Sequence, residues 1–293
     1  MSPSPESQRI RATFQKETVD PSASLQDERD AWNDYGATLP MRPDVSSHET
    51  TINGIASLIL TPPNPGDVVI LYVHGGGLTT GSIRTHRSYA AALSAATHCK
   101  LILIDYRLLP EHLISAPRDD FLTVYYALLA ERRSTRIIFA GDSSGGAVSV
   151  SALCHLRAFR KPMPIGNVVI SGAFDATLSN ASHRTNALVD PLLSPEVLRH
   201  WQTQLGPDVD LRDPLISPLF ADLTGLPPHL LLAGGDELWR DDTLKFADQI
   251  ISAGGVCETH VFEGMWHVWP MIPDIPETTQ AFRLIASFIA KHT

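Results

Sequence analysis

Cysteine is scarce in this sequence, and its scarcity excludes two classes of small scaffold. The three cysteines, Cys99, Cys154 and Cys257, are far apart and form no C-x-x-C pair. An odd, dispersed set of this kind argues against a disulfide framework and against a zinc ribbon. Because free cysteine side chains are usually buried, we expect three buried, inert thiols and no need for an oxidising compartment.

Long apolar runs and an excess of positive charge are also lacking. The strongest apolar stretch, near residues 68–73, is far shorter than the ~20 residues that a membrane helix needs. The polar N-terminus has no apolar region of a secretory signal. Lys and Arg number 23 against 32 Asp and Glu, a formal net charge of −9. We therefore expect a cytoplasmic protein that binds neither nucleic acid nor membrane.

The chain nevertheless has the composition of a globular protein, since 43% of its 293 residues are hydrophobic. Short β-rich runs alternate with helical patterns, which predicts an α/β fold with a mostly parallel central sheet flanked by helices. The continuous apolar run at residues 68–73 is typical of a strand buried on both faces. Residues 51–60 alternate and then break at residues 62–67, as a hairpin would. Further strands are predicted at residues 101–104, 137–140, 168–171, 230–233 and 257–262.

Two regions fall outside this alternation of strands and helices. Residues 1–45 contain a helical pattern around residues 24–35, and residues 175–217 contain another at 195–205. Each pattern has an apolar face that needs a partner, so we expect the two helices to pack together as a cap. The apolar faces consist of Leu25, Trp32 and Tyr35, and of Leu198, Trp201 and Leu205.

This cap would divide the chain into two parts. The N-terminal cap segment would span residues 1–45. The catalytic domain would span residues 46–293, with a cap insertion at about residues 175–217.

The sharpest chemical signal is the run GDSSGG at residues 141–146. It follows a predicted strand and precedes a helix of small residues starting near Gly145, which is the context that a G-x-S-x-G nucleophile elbow requires. Such a turn forces strained dihedral angles on Ser143 and raises its hydroxyl above the sheet. Glycines at positions 141 and 145 avoid clashes in so tight a turn. Ser143 is therefore the candidate nucleophile.

A second glycine motif, HGGG at residues 74–77, directly follows the strand predicted at 68–73. Its bare backbone N–H groups are suited to hold the oxyanion of a tetrahedral intermediate. A dinucleotide site would need glycine at position 80, which is Thr80, and there is no Walker A sequence. We expect His74 to brace this loop by hydrogen bonds without transferring protons.

A serine nucleophile needs a base, and the base needs an orienting carboxylate. In the chain order Ser…Asp…His, Asp236 follows the strand at 230–233 and His267 follows the strand at 257–262. Both loops would emerge at the edge of the sheet that carries Ser143. We therefore assign Asp236 as the acid. The alternatives are Glu237, Asp241 and Asp242, near the start of the next helix.

Taken together, these motifs resemble the hormone-sensitive-lipase-like family of α/β-hydrolases, from about residue 20 to the end of the chain. The resemblance rests on HGGG at 74–77, DYRLLPE at 105–111, GDSSGG at 141–146 and residues 236–242. The runs DPLISPLF at 213–220 and GGDE at 234–237 make it most similar to the bacterial carboxylesterase and monoterpene-lactone hydrolase branch.

The resemblance implies a carboxylesterase-type serine hydrolase with an α/β-hydrolase fold and a helical cap. Ser143 matches the nucleophile, His267 the general base and Asp236 the acid. The matching oxyanion hole consists of the N–H groups of Gly76, Gly77 and Ser144. Leu109 and Ser144 stand where the family commonly has alanine, and Leu78 replaces an aromatic residue near the acyl pocket, a change that affects the size of substrate the pocket would accept.

Other side chains have weaker assignments. Candidates for the substrate pocket are Leu78, Trp201, Trp266 and Val268. An ion-pair network supporting the loops is expected among Asp105, Arg107 and Glu111.

The expected substrate is a small-molecule carboxylic ester with a small to medium acyl chain, lactones included, cleaved through an acyl-enzyme. We expect no metal and no organic cofactor. The same triad would also serve an amidase, a thioesterase or an acyltransferase. A non-catalytic small-molecule receptor of this fold is disfavoured because His267 is retained. A metalloenzyme built on Asp236, Asp241 and His267 lacks a recognised ligand spacing. A homodimer is left open.

Overall fold

In the computed structural model, which describes residues 2–20, 22–131 and 136–293, eight strands of the described residues form one sheet. Its order is β1-β2-β4-β3-β5-β6-β7-β8. Both pairings of β2 are antiparallel, and every pairing from β4 to β8 is parallel. The strands are β1 Ser46–Ile52, β2 Ile55–Thr61, β3 Val68–Val73, β4 Lys100–Ile104, β5 Arg136–Asp142, β6 Gly166–Ile170, β7 His229–Gly234 and β8 Cys257–Phe262.

Helices cover both faces of this sheet, as the alternating pattern predicts. Along β3, Ile70 and Tyr72 belong to the core beneath α3 and α9, whereas Leu71 and Val73 belong to the core beneath α4, α5 and α8. All four side chains are fully buried, which explains the unbroken apolar run. The helices are α1 Pro5–Arg11, α2 Leu25–Thr38, α3 Ile83–Thr97, α4 Ala116–Glu131, α5 Ser143–Ala158, α6 Ser182–Thr185, α7 Pro195–Gln204, α8 Arg240–Ser252 and α9 Pro276–Lys291.

The first hairpin is not where the sequence pattern put it. Residues 51–60 do not form one strand, because the chain turns at Asn53 and Gly54, whose φ angles are 48° and 89°. Two positive φ angles in succession are typical of the type I′ turn that an Asn-Gly pair favours. The Asn-Gly pair is itself a hairpin signal in the sequence, and the prediction of a single run over residues 51–60 did not take it into account. The six other predicted strands agree with β3 to β8 within about two residues at each end.

The two regions set outside the sheet contact each other. Glu28 of α2 accepts hydrogen bonds from His200 Nε2 and Gln204 Nε2 of α7, both at 2.9 Å. On its other side α2 packs tightly on α3, since a Cβ on Gly36 would lie 2.6 Å from the carbonyl oxygen of Arg84. The expected apolar face of α2 is wrong at Tyr35, which is 66% exposed. Polar contacts therefore join the two helices at this point.

Two of the three cysteines differ from the expectation. Cys99 is buried, but Cys154 on α5 and Cys257 at the start of the edge strand β8 are only half-buried. Burial nevertheless raises the pKa of all three thiols, which keeps them protonated and unreactive at neutral pH. Within the part of the chain that the structure describes, no helix combines the length and the hydropathy of a membrane span.

Candidate active site

The turn between β5 and α5 holds Ser143 in a left-handed conformation, with φ of 50°. Helix α5 begins at Ser143 itself, two residues before the predicted start. The turn is too tight for side chains on its glycines: a Cβ on Gly145 would lie 2.2 Å from the carbonyl oxygen of Val73, and one on Gly141 would lie 2.7 Å from the carbonyl carbon of Gly145. The Ser143 hydroxyl therefore stands at the carboxyl end of the sheet, at the N-terminus of a helix.

His267 lies between this hydroxyl and a buried carboxylate. Its Nε2 is 3.0 Å from Ser143 Oγ, and its Nδ1 is 2.8 Å from Glu237 Oε2. The histidine loop follows β8 and turns at Gly264, whose φ is 73°. Ser143 and Glu237 follow β5 and β7, so three parallel strands deliver the three groups to one edge of the sheet.

The assignment of Asp236 as the acid is wrong, because the structure places Glu237 on His267. Asp236 Oδ2 instead accepts a hydrogen bond from Arg11 Nη1 at 2.6 Å. The side chain of Glu237 is fully buried and folds back so that its Oε1 accepts from the N–H of Gly234 at 2.9 Å. Neighbouring side chains in a turn point in different directions, and the position of an acid after a strand does not distinguish between two adjacent acids.

Burial and pairing determine the ionisation of this pair. Burial raises the pKa of Glu237, although its hydrogen bond to His267 acts in the opposite direction. Burial alone would lower the pKa of His267, but the hydrogen bond and negative charge of Glu237 outweigh it and raise that pKa above its usual value. The pairing therefore stabilises the imidazolium form of His267.

The HGGG loop runs beside the elbow in a conformation that requires glycine. Gly76 and Gly77 have φ angles of 110° and 63°, and a Cβ on Gly75 would lie 2.4 Å from Asp142 Oδ2. The Ser144 hydroxyl accepts a hydrogen bond from the N–H of Leu78 at 3.2 Å, which ties the loop to α5. In residues 2–20, 22–131 and 136–293, the N–H groups of Gly76 and Gly77 have no hydrogen-bond acceptor.

Behind the loop, His74 is buried and neutral. Burial lowers its pKa to about 3. Its ring stacks on Tyr106 with centroids 4.3 Å apart, and its Nδ1 is 2.7 Å from the carbonyl oxygen of Gly75. Asp142 also holds the loop, because Oδ1 accepts from the N–H of Gly75 at 3.1 Å and from the Tyr72 hydroxyl at 2.8 Å. His74 thus braces the loop, as predicted.

The expected ion-pair network among Asp105, Arg107 and Glu111 is wrong. Each of the three has a separate partner: Asp105 accepts from the N–H of Ile83, Arg107 pairs with Asp120 at 2.7 Å, and Glu111 pairs with Arg29 at 2.8 Å. Asp105, Arg107 and Glu111 are two and four residues apart along the chain, so each side chain reaches a different part of the structure. Only the support of the loops, and not the shared network, agrees with the prediction.

A mostly apolar cavity of about 60 Å³ opens beside Ser143. Of the four predicted pocket residues, Leu78 and Trp201 line it, but Trp266 and Val268 do not. Trp266 is 1% exposed and packs edge-on against Phe14, so it belongs to the core. The cavity wall also contains Gly77, Ser144, Ala173, Ala176, Leu178, Leu198, Gln202, Leu205, Ile216 and Trp239.

Trp239 and Val268 depart from the predicted pocket in opposite ways, since Trp239 lines the cavity and Val268 does not. Trp239 was not predicted for the pocket, although it stands two residues after Glu237, and that position is a signal that could have identified it. Val268 donates its N–H to Ser171 Oγ at 2.9 Å and has a φ of 49°. Its backbone thus anchors the histidine loop, while its side chain lies away from the cavity.

One further carboxyl group acts on the candidate base. Glu17, in the segment after α1, is half-buried, and its N–H donates to the carbonyl oxygen of Leu192 at 2.8 Å. Burial raises the pKa of Glu17 to about 7, the positive charge of His267 opposes this, and Asp190 and Glu28 add to it. No sequence pattern points to this residue, because nothing in residues 1–45 indicates which side chains reach the site.

Among the described residues, no group of three or more His, Cys, Asp or Glu side chains is arranged to hold a metal ion. The acids of the metalloenzyme alternative have cationic neighbours instead, since Asp236 pairs with Arg11 and Asp241 pairs with Arg240.

The amino-acid sequence of this chain is similar to the sequences of known proteins. A family model described as alpha/beta hydrolase fold matches residues 70–271. An esterase of Acinetobacter venetianus is 33% identical over 256 residues, which cover 85% of this chain and 84% of that protein. An acetyl-hydrolase of Streptomyces hygroscopicus is 34% identical over 226 residues, which cover 76% of each chain.

Solved structures agree with these sequence matches. The crystal structure of an esterase from the bacterial hormone-sensitive lipase family superimposes with a TM-score of 0.93 at 33% identity, over 100% of this chain and 99% of that one. The esterase EstE5, soaked with p-nitrophenyl butyrate, superimposes with a TM-score of 0.91 at 30% identity, over 99% of each chain.

Proposed function

Because this chain belongs to the hormone-sensitive-lipase-like α/β-hydrolases and is a carboxylesterase-type hydrolase, we propose that it cleaves esters of short acyl chains through Ser143, His267 and Glu237. The observation that carries the proposal is the position of His267, which lies 3.0 Å from the Ser143 hydroxyl and 2.8 Å from Glu237. A hydroxyl, an imidazole and a buried carboxylate in this order form the arrangement that activates a serine nucleophile.

In the acylation step, Ser143 Oγ attacks the carbonyl carbon of the ester and His267 Nε2 takes the hydroxyl proton. Glu237 stabilises the imidazolium that forms and holds His267 Nδ1 in its protonated tautomer. The tetrahedral intermediate then loses the alcohol, whose oxygen receives the proton from His267 Nε2. The products of this step are an acyl group on Ser143 and a free alcohol.

Deacylation repeats the sequence with water. His267 removes a proton from water, the hydroxide attacks the acyl carbonyl, and Ser143 Oγ leaves with the proton that His267 returns. The N–H groups of Gly76, Gly77 and Ser144 would hold the oxyanion in both steps. Support comes from the loop geometry, because the first two of these donors are not used within the described residues.

The cavity size supports short acyl chains. The cavity is small, at about 60 Å³, and its lining is mostly apolar, which suits a short acyl chain. We therefore propose acyl groups from acetyl to hexanoyl. Residues 1–45 and 175–217 would form the cap above them, since Trp201 and Leu198 of α7 line the cavity. Lactones of similar size fit the same proposal.

Two measurements test the proposal. A fluorophosphonate should label Ser143 once, and Ser143→Ala should abolish the labelling and lower kcat by several orders of magnitude. A panel of p-nitrophenyl esters, thioesters, lactones and anilides then separates the esterase from an amidase, a thioesterase or an acyltransferase. Labelling that persists in Ser143→Ala, or turnover of anilides above esters, would contradict the proposal.

A further inference from the structure

Arg11, the last residue of α1, joins three loops around the proposed triad. Its Nη1 donates to Asp236 Oδ2 at 2.6 Å and to the carbonyl oxygen of Gly264 at 2.7 Å, and its Nη2 donates to the carbonyl oxygen of Val189. Asp236 directly precedes Glu237, and Gly264 lies three residues before His267. One planar guanidinium thus connects the acid loop to the histidine loop.

The residues around Arg11 are themselves anchored to the hydrolase domain. Before it, the N–H and hydroxyl groups of Ser4 donate to the carboxylate of Glu277 on α9 at 2.6 and 2.9 Å. After it, Phe14 packs edge-on against Trp266, with ring centroids 4.8 Å apart. Because both flanks are fixed, the guanidinium resists a separation of the two loops and does not simply follow them.

The hydrogen bond between Glu237 and His267 lies next to the backbone hydrogen bonds that join these two loops. Gly235 donates its N–H to Phe262 at 2.8 Å, and Asp236 donates its N–H to Met265 at 3.0 Å. Glu237 is the residue after Asp236, and His267 lies two residues after Met265. A misplacement of about 1 Å at a catalytic group can lower a rate ~100-fold, so a clamp at this point affects the chemistry.

We infer that Arg11 is a positioning residue: it holds the Glu237 loop against the His267 loop and neutralises Asp236 beside the triad. The inference rests on the proposed function for its kinetic readout. It gives the N-terminal segment a role in assembling the catalytic groups, in addition to covering them.

The pH profile distinguishes the positioning role from a purely structural one. A purely structural role would leave the acid limb of kcat/KM unchanged in every variant, whereas the positioning role shifts it. Arg11→Met leaves the Asp236 carboxylate uncompensated, which favours the His267 imidazolium and moves the acid limb of kcat/KM to higher pH. Asp236→Asn leaves the guanidinium uncompensated and moves that limb to lower pH. The other groups that act on His267 stay the same in all variants: Glu17, Asp142, Asp190 and Glu237.

The test compares Arg11→Met, Arg11→Lys and Asp236→Asn with Arg9→Met as the matched control. Arg9 lies on the same helix and is largely exposed, and its hydrogen bonds to described residues go to Glu6 and to the carbonyl oxygen of Pro5, both within α1. We expect Arg11→Met to lower kcat by about 10- to 100-fold with KM changed by less than about threefold. Arg11→Lys should recover part of kcat, because one ammonium keeps the charge but not the three contacts. Arg9→Met should match the wild type.

A second readout does not depend on turnover. The Nδ1–H proton of His267 gives a downfield NMR resonance while it is bonded to Glu237, and we expect Arg11→Met to shift or broaden it. An unchanged resonance, kcat and acid limb in a less heat-stable Arg11→Met would overturn the inference, since Arg11 would then only fasten α1. A wild type without esterase activity but with the resonance change would refute the proposed function alone. If Arg11→Met does not fold, Arg11→Lys and Asp236→Asn still decide the matter.

Discussion

The indole ring of Trp201 lies directly against Gly77: a Cβ built on Gly77 would be 3.6 Å from Cδ2 of the ring. Trp201 comes from α7, outside the sheet, and Gly77 belongs to the proposed oxyanion loop. The contact closes one side of the cavity beside Ser143. Under the proposed function, acyl length and oxyanion binding would therefore be controlled by two groups in contact with each other.

Trp201→Ala should enlarge the cavity and move the preferred acyl chain to longer esters. Removing the ring leaves room for several methylene groups, each of which contributes about 0.8 kcal/mol when buried. The measurement is kcat/KM for p-nitrophenyl acetate through decanoate. Tyr35→Ala is the matched control, because Tyr35 is an exposed aromatic residue on the neighbouring α2. An unchanged chain-length profile in Trp201→Ala would show that the cavity does not receive the acyl group.

Gly77→Ala should cost more free energy of transition-state stabilisation, measured from kcat, than free energy of unfolding. The new methyl group has space, but the φ of 63° is unfavourable for alanine and the loop would shift. Such strain costs about 1 kcal/mol or more, and a displaced oxyanion donor costs roughly 3 kcal/mol of transition-state stabilisation. Gly54→Ala is the control, since Gly54 also has a positive φ and open space but lies in the β1–β2 turn. Equal kcat losses in both variants would argue against an oxyanion role.

Glu237→Gln should reduce kcat by about 10⁴-fold, because an amide no longer stabilises the imidazolium or the correct tautomer. Asp236→Asn is the matched neighbour and should keep kcat within about tenfold, since Asn retains an oxygen acceptor for Arg11. Steady-state kinetics with p-nitrophenyl butyrate, together with a thermal melt of each variant, checks both. A larger loss in Asp236→Asn would restore Asp236 as the acid.

The acid limb of kcat/KM should lie above the usual pKa of histidine, because Glu237 raises the pKa of His267 and only the neutral imidazole accepts the Ser143 proton. Glu17 adds to this effect once it ionises near pH 7. Glu17→Gln removes that negative charge, so the limb should move to lower pH. Glu6→Gln, a half-exposed acid on α1, serves as the control. A limb that is unchanged in Glu17→Gln would show that Glu17 does not act on His267.

The sequence predicted most of the fold and the nucleophile because those features depend on local rules. An apolar run such as β3 has one favourable environment, between two layers of helices. Positions 141 and 145 require glycine, because a Cβ at either one would lie only 2.2 to 2.9 Å from neighbouring atoms. The spacing of glycines around a serine therefore predicts the tight turn between a strand and a helix.

The sequence could not predict features that depend on the direction in which a side chain points. Asp236 and Glu237 are adjacent acids in one loop, and only the three-dimensional course of that loop decides which side chain meets His267. Trp266 and Trp239 likewise have the same chemistry, but one packs against Phe14 in the core and the other faces the cavity. The contribution of Arg11 depends on contacts with residues more than 170 positions away.

The sheet order has a consequence for how activity would be lost on heating. Ser143 follows β5, which has a neighbouring strand on each side, whereas His267 follows β8, which among the described residues pairs with β7 alone. An edge strand opens at a lower free energy than a central one. A transient detachment of β8 would carry the base away from the nucleophile while the two cores stay packed. Thermal inactivation would then begin as a local event, at temperatures below the cooperative unfolding of the molecule.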